Sequence, residues 1–284
     1  MQLLASAEIR RAVQAALAED IGSGDVTTLA TVPATATAKA VLRAREPLVV
    51  AGLDFAEAAF RELSTAVKIG RLAKDGRRVK AGASLLNLSG PARAILSAER
   101  VALNFVQRLS GIATLTAQFV DAVKGTPAQI LDTRKTTPGW RRFEKHAVAC
   151  GGGKNHRFGL DDMVLIKDNH LAALRDAQPN AIAAAVRRAR EKYPRLKIEV
   201  EADTLEQAGQ AADAGADIIL LDNMSPAQLR LAVQKIKGRA MTEASGGVTL
   251  KTVRAMAKTS VDFISVGALT HSAPAVDMGL DFED

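Results

Sequence analysis

The chain has 284 residues, 48% of them hydrophobic and 4% aromatic, with a single cysteine. That length and apolar share allow a sizeable core and predict two domains, and one cysteine excludes an internal disulfide. A net charge of +7 points to an anionic partner. The basic residues gather around glycines and strand ends, without the aromatic interleaving that stacks bases, so a small polyanion is expected and nucleic acid is not.

The opening MQLLASAEIRRAV lacks an apolar stretch of signal-peptide length, and no window reaches the ~20 apolar residues of a membrane span. A cytoplasmic protein with no membrane partner is therefore expected. A helix is predicted over residues 7–17, then a turn-rich stretch from Glu19 to Thr28, then strand-like segments at 38–45, 47–51 and 85–88. Residues 75–82 read as a structural β turn; a carrier-domain hairpin would present a lysine at its tip, and none stands there. A helix over 92–109 places Arg100, Asn104 and Arg108 on one stripe at i, i+4 and i+8, which taken alone reads as a solvated face.

From about residue 128 a different pattern sets in, a short aliphatic run ending in a polar residue and then an amphipathic helix. The runs are 129–131, 163–166, 196–200, 218–221, 240–242 and 261–266; the helices between them are 181–190, 205–214, 226–236 (capped by Ser225) and 250–258. Strict alternation of this kind means a parallel sheet with right-handed crossovers. Six units are too few for a complete eight-stranded barrel of ~250 residues, so a reduced, incomplete α/β barrel is expected. Its strands end in Asp132 and Arg134, Lys167, Glu201, Asp222, Glu243 and Ser245, and Gly267. The C-terminal strand ends are where such barrels carry their chemistry.

Between positions 134 and 157 stand Arg134, Lys135, Arg141, Arg142, Lys145, Lys154 and Arg157 against Glu144 alone, with Gly151, Gly152 and Gly153 just before Lys154, His156 and Arg157. Mutual neutralisation is impossible, and glycines let backbone N–H groups approach a ligand, so the run reads as an anion site rather than a solvated basic loop. Lys167, at the end of an aliphatic strand, is expected to be buried and in need of a partner; it binds phosphate or carboxylate, or forms a Schiff base. Glu201 and Asp222 are acid/base groups, Mg²⁺ ligands or acceptors for sugar hydroxyls, against the plainer alternative of salt bridges to nearby lysines. Glu199 shares a strand face with Glu201 by period two, which leaves the choice between them open. Ser245-Gly246-Gly247 and Val266-Gly267-Ala268 follow the last two strands, where barrels build phosphate sites. His156 is the functional histidine, His271 reads as structural, and Cys150 as a packing residue.

The ordered set DTRKTTPG, GGGKNHR, LIKDNH, LLDNM, EASGG and SVGALT strongly resembles the quinolinate phosphoribosyltransferase family, and the similarity runs nearly end to end. The resemblance implies an N-terminal α/β sandwich domain (1–110, joined by 272–284) and an incomplete parallel α/β barrel (111–271). It implies a cytoplasmic transferase of NAD biosynthesis that uses Mg²⁺ to turn quinolinate and phosphoribosyl pyrophosphate into nicotinate mononucleotide, pyrophosphate and CO₂. By motif, Arg134, His156, Arg157 and Lys167 would hold the quinolinate carboxylates with Lys135 nearby, and Thr133 and Arg100 belong to the implied substrate-binding set. Glu201 and Asp222 would face the ribose hydroxyls and the metal, while Ser245, Gly246, Gly247, Val266, Gly267 and Ala268 take the 5′-phosphate. Lys135, Lys167, Glu201 and Asp222 form the implied catalytic set. The implied assembly is a homodimer, or a multiple of dimers, in which Arg100 reaches the partner's site, against the isolated reading of its stripe. The competing readings are a paralogous phosphoribosyltransferase of a molybdate-transport operon, a Schiff-base lyase using Lys167, and a non-catalytic anion-binding protein.

Overall fold

A computed structural model describes residues 4–283. In chain order the first half contains α1 (Ser6–Ile21), α2 (Val26–Thr31), β1 (Thr37–Ala44), β2 (Leu48–Val49), α3 (Leu53–Leu63), β3 (Lys68–Arg71), β4 (Arg78–Val79), β5 (Ser84–Pro91) and α4 (Ala92–Ala122). The second half contains β6 (Gln129–Leu131), α5 (Arg141–Cys150), β7 (Val164–Ile166), α6 (Asp168–Ala172), α7 (Ala181–Lys192), β8 (Ile198–Ala202), α8 (Leu205–Asp213), β9 (Ile218–Asp222), α9 (Pro226–Ile236), β10 (Met241–Ser245), α10 (Val253–Ala257), β11 (Phe263–Ser265), α11 (Ala268–His271) and β12 (Met278–Glu283). The chain packs as two compact units. One holds residues 1–117, 137–152 and 272–284, and the other holds 118–136 and 153–271, so the division falls inside α4 and assigns α5 to the first unit.

The first unit is built on a four-stranded antiparallel sheet in the order β12-β1-β5-β3. Its helices are there because their apolar residues fall on one face: Ile9, Val13 and Leu17 of α1 are buried at i, i+4 and i+8. The few aromatic residues are concentrated in one stack. Phe55 lies 4.8 Å from Phe105, which stacks on Trp140 at 5.0 Å, and Phe143 meets Phe55 edge-on at 4.9 Å. Helix α4 runs far beyond the expected end at 109. Gly111 within it lets the segment at Pro274 lie directly against the helix, because a Cβ there would meet the Pro274 carbonyl oxygen at 2.0 Å. Arg108 is not solvated as its stripe suggested: its guanidinium donates to the Ala273 carbonyl at 2.6 Å and to Glu144 at 3.2 Å.

In the second unit six strands, all parallel, form a sheet in the order β6-β11-β10-β9-β8-β7. β6 and β7 are its edges, which is the incomplete barrel-type arrangement expected. Its central strands are buried along most of their length, with Ile198, Val200, Ile219 and Leu221 fully buried, as in a helix-covered parallel sheet. Helices start at chemically defined points. Thr204 caps α8 with Gln207 closing a capping box, Ser225 and Gln228 do the same for α9 ahead of Pro226, and Asn180 caps α7. The expected helix over 250–258 shortens to α10, and the Ala240 end of the predicted 240–242 run moves on to β10. Among the described residues, no helix is long and apolar enough to cross a membrane.

Candidate active site

The strand order brings the polar C-terminal ends of β6 to β11 to one edge of the second unit, where they surround a cavity of about 760 Å³. Thr133, Arg134, Lys135, His156, Arg157, Lys167, Glu201, Asp222, Ser245, Gly246, Gly247, Gly267 and Ala268 all line it. Val266 does not. It is buried, and its N–H already donates to the Leu131 carbonyl at 2.9 Å, so it has no amide to offer a phosphate. Arg100 is exposed on α4 in the first unit and does not line this cavity.

The dense basic run separates into two groups. Arg134, Lys135 and Arg157 reach the cavity, joined by Lys167, while Arg141, Arg142, Lys145 and Lys154 do not. For the first three the reason is α5: residues 141–150 form a helix, not a ligand loop. On it Arg142 pairs with Glu8 at 3.2 Å, Lys145 is fully buried, and buried Glu144 takes the Thr137 N–H at 3.0 Å and its hydroxyl at 2.8 Å. Cys150 fits the packing role; burial, then the nearby Asp75 and Asp54 charges, push its thiol up to about 12, far from a nucleophile.

Lys167 is exposed to the cavity rather than buried, and its Nζ pairs with Glu201 Oε2 at 2.5 Å. That contact holds the side chain facing the pocket. Glu201 lines the cavity and Glu199 does not; Glu199 is buried in the interior with no exposed surface. Asp222 accepts from the Asn223 amide at 2.6 Å. Asn223 takes a left-handed conformation (φ 52°), and Gly246 beside it (φ 89°) leaves no room for a Cβ, which would meet Asn223 Oδ1 at 2.1 Å. Gly247 (φ 59°) has open space where its Cβ would be, so a ligand can approach the backbone. Gly267 sits between Lys135 and His271, with a Cβ position 3.1 Å from Lys135 Cδ and 3.2 Å from His271 Nε2.

Behind the cations, fully buried Asp132 organises the glycine loop. Its carboxylate accepts the His156 N–H at 2.8 Å and the Asn155 amide at 2.7 Å. The Arg157 guanidinium donates to the Met163 carbonyl at 3.0 Å, and burial, then the Arg134 charge, lower its pKa from the usual arginine value. Arg134 Nε is buried without a hydrogen-bond partner. Two guanidiniums held this close, one with an unmet donor, favour an anionic guest. Sequence reasoning missed His271, Asn223 and Asp203. Asp203 sets a carboxylate oxygen within 4.8 Å of those of Glu201 and Asp222. The signal for all three was position, directly after a strand end or a glycine turn.

A parallel α/β sheet whose strand ends pair cations, carboxylates and glycine turns around one cavity defines an enzyme that works on anionic, phosphate-bearing substrates. Comparison with known proteins narrows the class. Residues 25–110 match the N-terminal domain of quinolinate phosphoribosyl transferase and residues 112–281 its C-terminal domain, and the chain belongs to that family. It is 45% identical to the carboxylating nicotinate-nucleotide pyrophosphorylase of Mycobacterium leprae over 278 residues, 96% of each chain. It is 42% identical to the chloroplastic counterpart of Arabidopsis thaliana, covering 97% of this chain and 83% of that one. The solved nicotinate-nucleotide pyrophosphorylase of Francisella tularensis superposes with a TM-score of 0.93 at 40% identity, over 99% of this chain and 98% of that one.

Proposed function

We propose that the chain transfers the phosphoribosyl group of phosphoribosyl pyrophosphate to the ring nitrogen of quinolinate, releasing pyrophosphate and CO₂ and leaving nicotinate mononucleotide. The observation that carries this reading is the division of one cavity into a cationic side (Arg134, Lys135, Arg157, Lys167) and a carboxylate side (Glu201, Asp222). Quinolinate is a dianion, and guanidinium and ammonium groups pair its two carboxylates by charge-assisted hydrogen bonds. As pyrophosphate leaves, positive charge develops at the ribose C1′, which Glu201 and Asp222 stabilise from the opposite side. Ser245, Gly246, Gly247, Gly267 and Ala268 offer small side chains and backbone groups to the 5′-phosphate. Once the ring nitrogen is quaternary, the electron pair left by the departing carboxylate is stabilised at C2 beside it, and a proton replaces CO₂. No covalent nucleophile is needed. The Schiff-base reading fits poorly, because an ammonium paired with Glu201 at 2.5 Å has no free electron pair for a carbonyl.

Glu201, Asp203 and Asp222 gather carboxylate oxygens within 4.8 Å of one another, an all-oxygen donor set suited to Mg²⁺. Bound there, Mg²⁺ would neutralise charge on the departing pyrophosphate. The working assembly in this reading is a homodimer or a multiple of dimers, with exposed Arg100 on α4 donated to the partner's cavity. Residues 1–110 with 272–284 form the sandwich domain in this reading, and 111–271 the barrel domain. A coupled assay for pyrophosphate and CO₂ tests the reaction: quinolinate is turned over and nicotinate, lacking the second carboxylate, is not. Equal turnover of the two acids would refute it.

A further inference from the structure

Beneath the cationic side of the cavity lies a buried group that the reaction above does not use. His156 comes from the glycine loop, Glu199 from β8 and Glu243 from β10, and their ligating atoms lie within 4.8 Å of one another. Glu199 has no exposed surface and Glu243 1%. Two carboxylates so far from water need a compensating donor. The nearest ring nitrogen is His156 Nε2, 3.0 Å from Glu199 Oε2 and 3.7 Å from Glu243 Oε2. Ser265 on β11 also faces Glu243, and the Arg157 charge is felt at Glu199.

The other ring nitrogen is already engaged. His156 Nδ1 accepts the Arg157 N–H at 2.8 Å, so it carries no proton and the ring hydrogen belongs on Nε2, toward the carboxylates. His156 also lines the cavity. Its hold on the Arg157 amide, together with the Asp132 hold on its own amide, sets the path by which the Arg157 side chain enters the cavity.

We propose that Glu199 and Glu243 are positioning residues for quinolinate binding, fixing His156 in the tautomer whose Nδ1 takes the Arg157 amide and so placing the Arg157 guanidinium. This rests on the functional reading given above. It differs from a purely structural role in one respect: loss of the pair weakens quinolinate selectively and leaves the phosphoribosyl pyrophosphate end of the cavity alone.

Two measurements on the full-length protein test it. The chain has four histidines, so ¹⁵N-histidine labelling gives a small ring spectrum, with His156 assigned by difference from His156→Asn. The free wild-type protein at neutral pH should show His156 with a bare Nδ1 and a protonated Nε2; a protonated Nδ1 overturns the proposal. Glu199→Leu and Glu243→Leu should each raise the quinolinate KM on the order of tenfold while the phosphoribosyl pyrophosphate KM holds. Glu199→Gln, whose amide oxygen still accepts the Nε2–H, and Glu243→Gln, which keeps the shape and polarity of the side chain, should recover most of that loss. A folded Leu variant with an unchanged quinolinate KM, or with both KM values raised alike, overturns it. Should the Leu variants not fold, the Gln variants and the wild-type spectrum still decide. A wild-type protein that ignores quinolinate would instead defeat the functional reading, while the tautomer spectrum would still report on the histidine.

Discussion

Replacing Glu243 by glutamine should remove most of a pH dependence of stability that the wild-type protein carries. Burial, and after it the Glu199 charge, raise the Glu243 carboxyl from 4.5 to about 8, with His156 opposing the shift. Between those two values the folded chain keeps a proton at Glu243 that the unfolded chain has released. Stability from this group is therefore fully present below pH 4.5, falls as pH rises through the window, and is flat again above 8. Three and a half pH units at about 1.4 kcal/mol each set a ceiling of ~5 kcal/mol, and sharing of charge with Glu199 and His156 brings the expected value to roughly 2–4 kcal/mol. Glu243→Gln stays neutral throughout. Urea unfolding of both proteins at pH 5.5 and pH 8.5 samples about two thirds of that window, and the variant should gain on wild type by roughly 1–3 kcal/mol between the two conditions. A wild-type-to-variant difference that is the same at both pH values would show that Glu243 does not titrate in this window, and the burial argument would be wrong.

The barrel half was legible because each of its strands combines an aliphatic run with a polar terminus, a pattern set by burial on both sheet faces and solvent at one edge. The site was legible for the same reason, since Lys167 and Asp222 are the first polar residues after aliphatic runs and Glu201 and Ser245 stand at or next to the C-terminal ends of β8 and β10. Helix α5 was missed because its apolar face, Phe143, Ala147 and Val148, is interleaved with Arg141, Arg142 and Lys145, and charge density masked the helical period. Lys145 and Glu144 are buried against expectation, and only tertiary packing could supply the partners that make this tolerable. Strands β3 and β4 carry glycine, arginine and lysine and almost no buried surface, so no apolar alternation announces them. Helix α3 was absent from the reading although its apolar face is regular; what starts it is long-range, the Asp75 carboxylate accepting from the Gly52 and Leu53 N–H groups. The placement of Glu199 needed coordinates, because period two puts Glu199 and Glu201 on one face without saying which of them reaches the cavity.

Gly246→Ala should lose most activity, since the new Cβ would collide with Asn223 Oδ1, the side chain that holds Asp222, and would strain a left-handed backbone; a folded variant with wild-type kcat/KM would remove the Asn223–Asp222 contact from the mechanism. Arg134→Ala and Arg157→Ala should each weaken quinolinate by roughly 1.5–3 kcal/mol, the worth of a hydrogen bond to a charged group, and unchanged affinity by calorimetry would take that residue out of the binding site. Arg100→Ala and Lys167→Ala should each be inactive alone, the first because exposed Arg100 serves a partner's cavity, the second because Lys167 lines its own. Mixed and allowed to exchange, they should regain activity in heterodimers, where one of the two cavities receives both intact residues, about a quarter of all sites at full exchange. Mass spectrometry of the mixture reports whether exchange took place. If heterodimers form and the mixture stays inactive, Arg100 acts within its own chain or takes no part in the reaction, and the shared-site assembly fails with it.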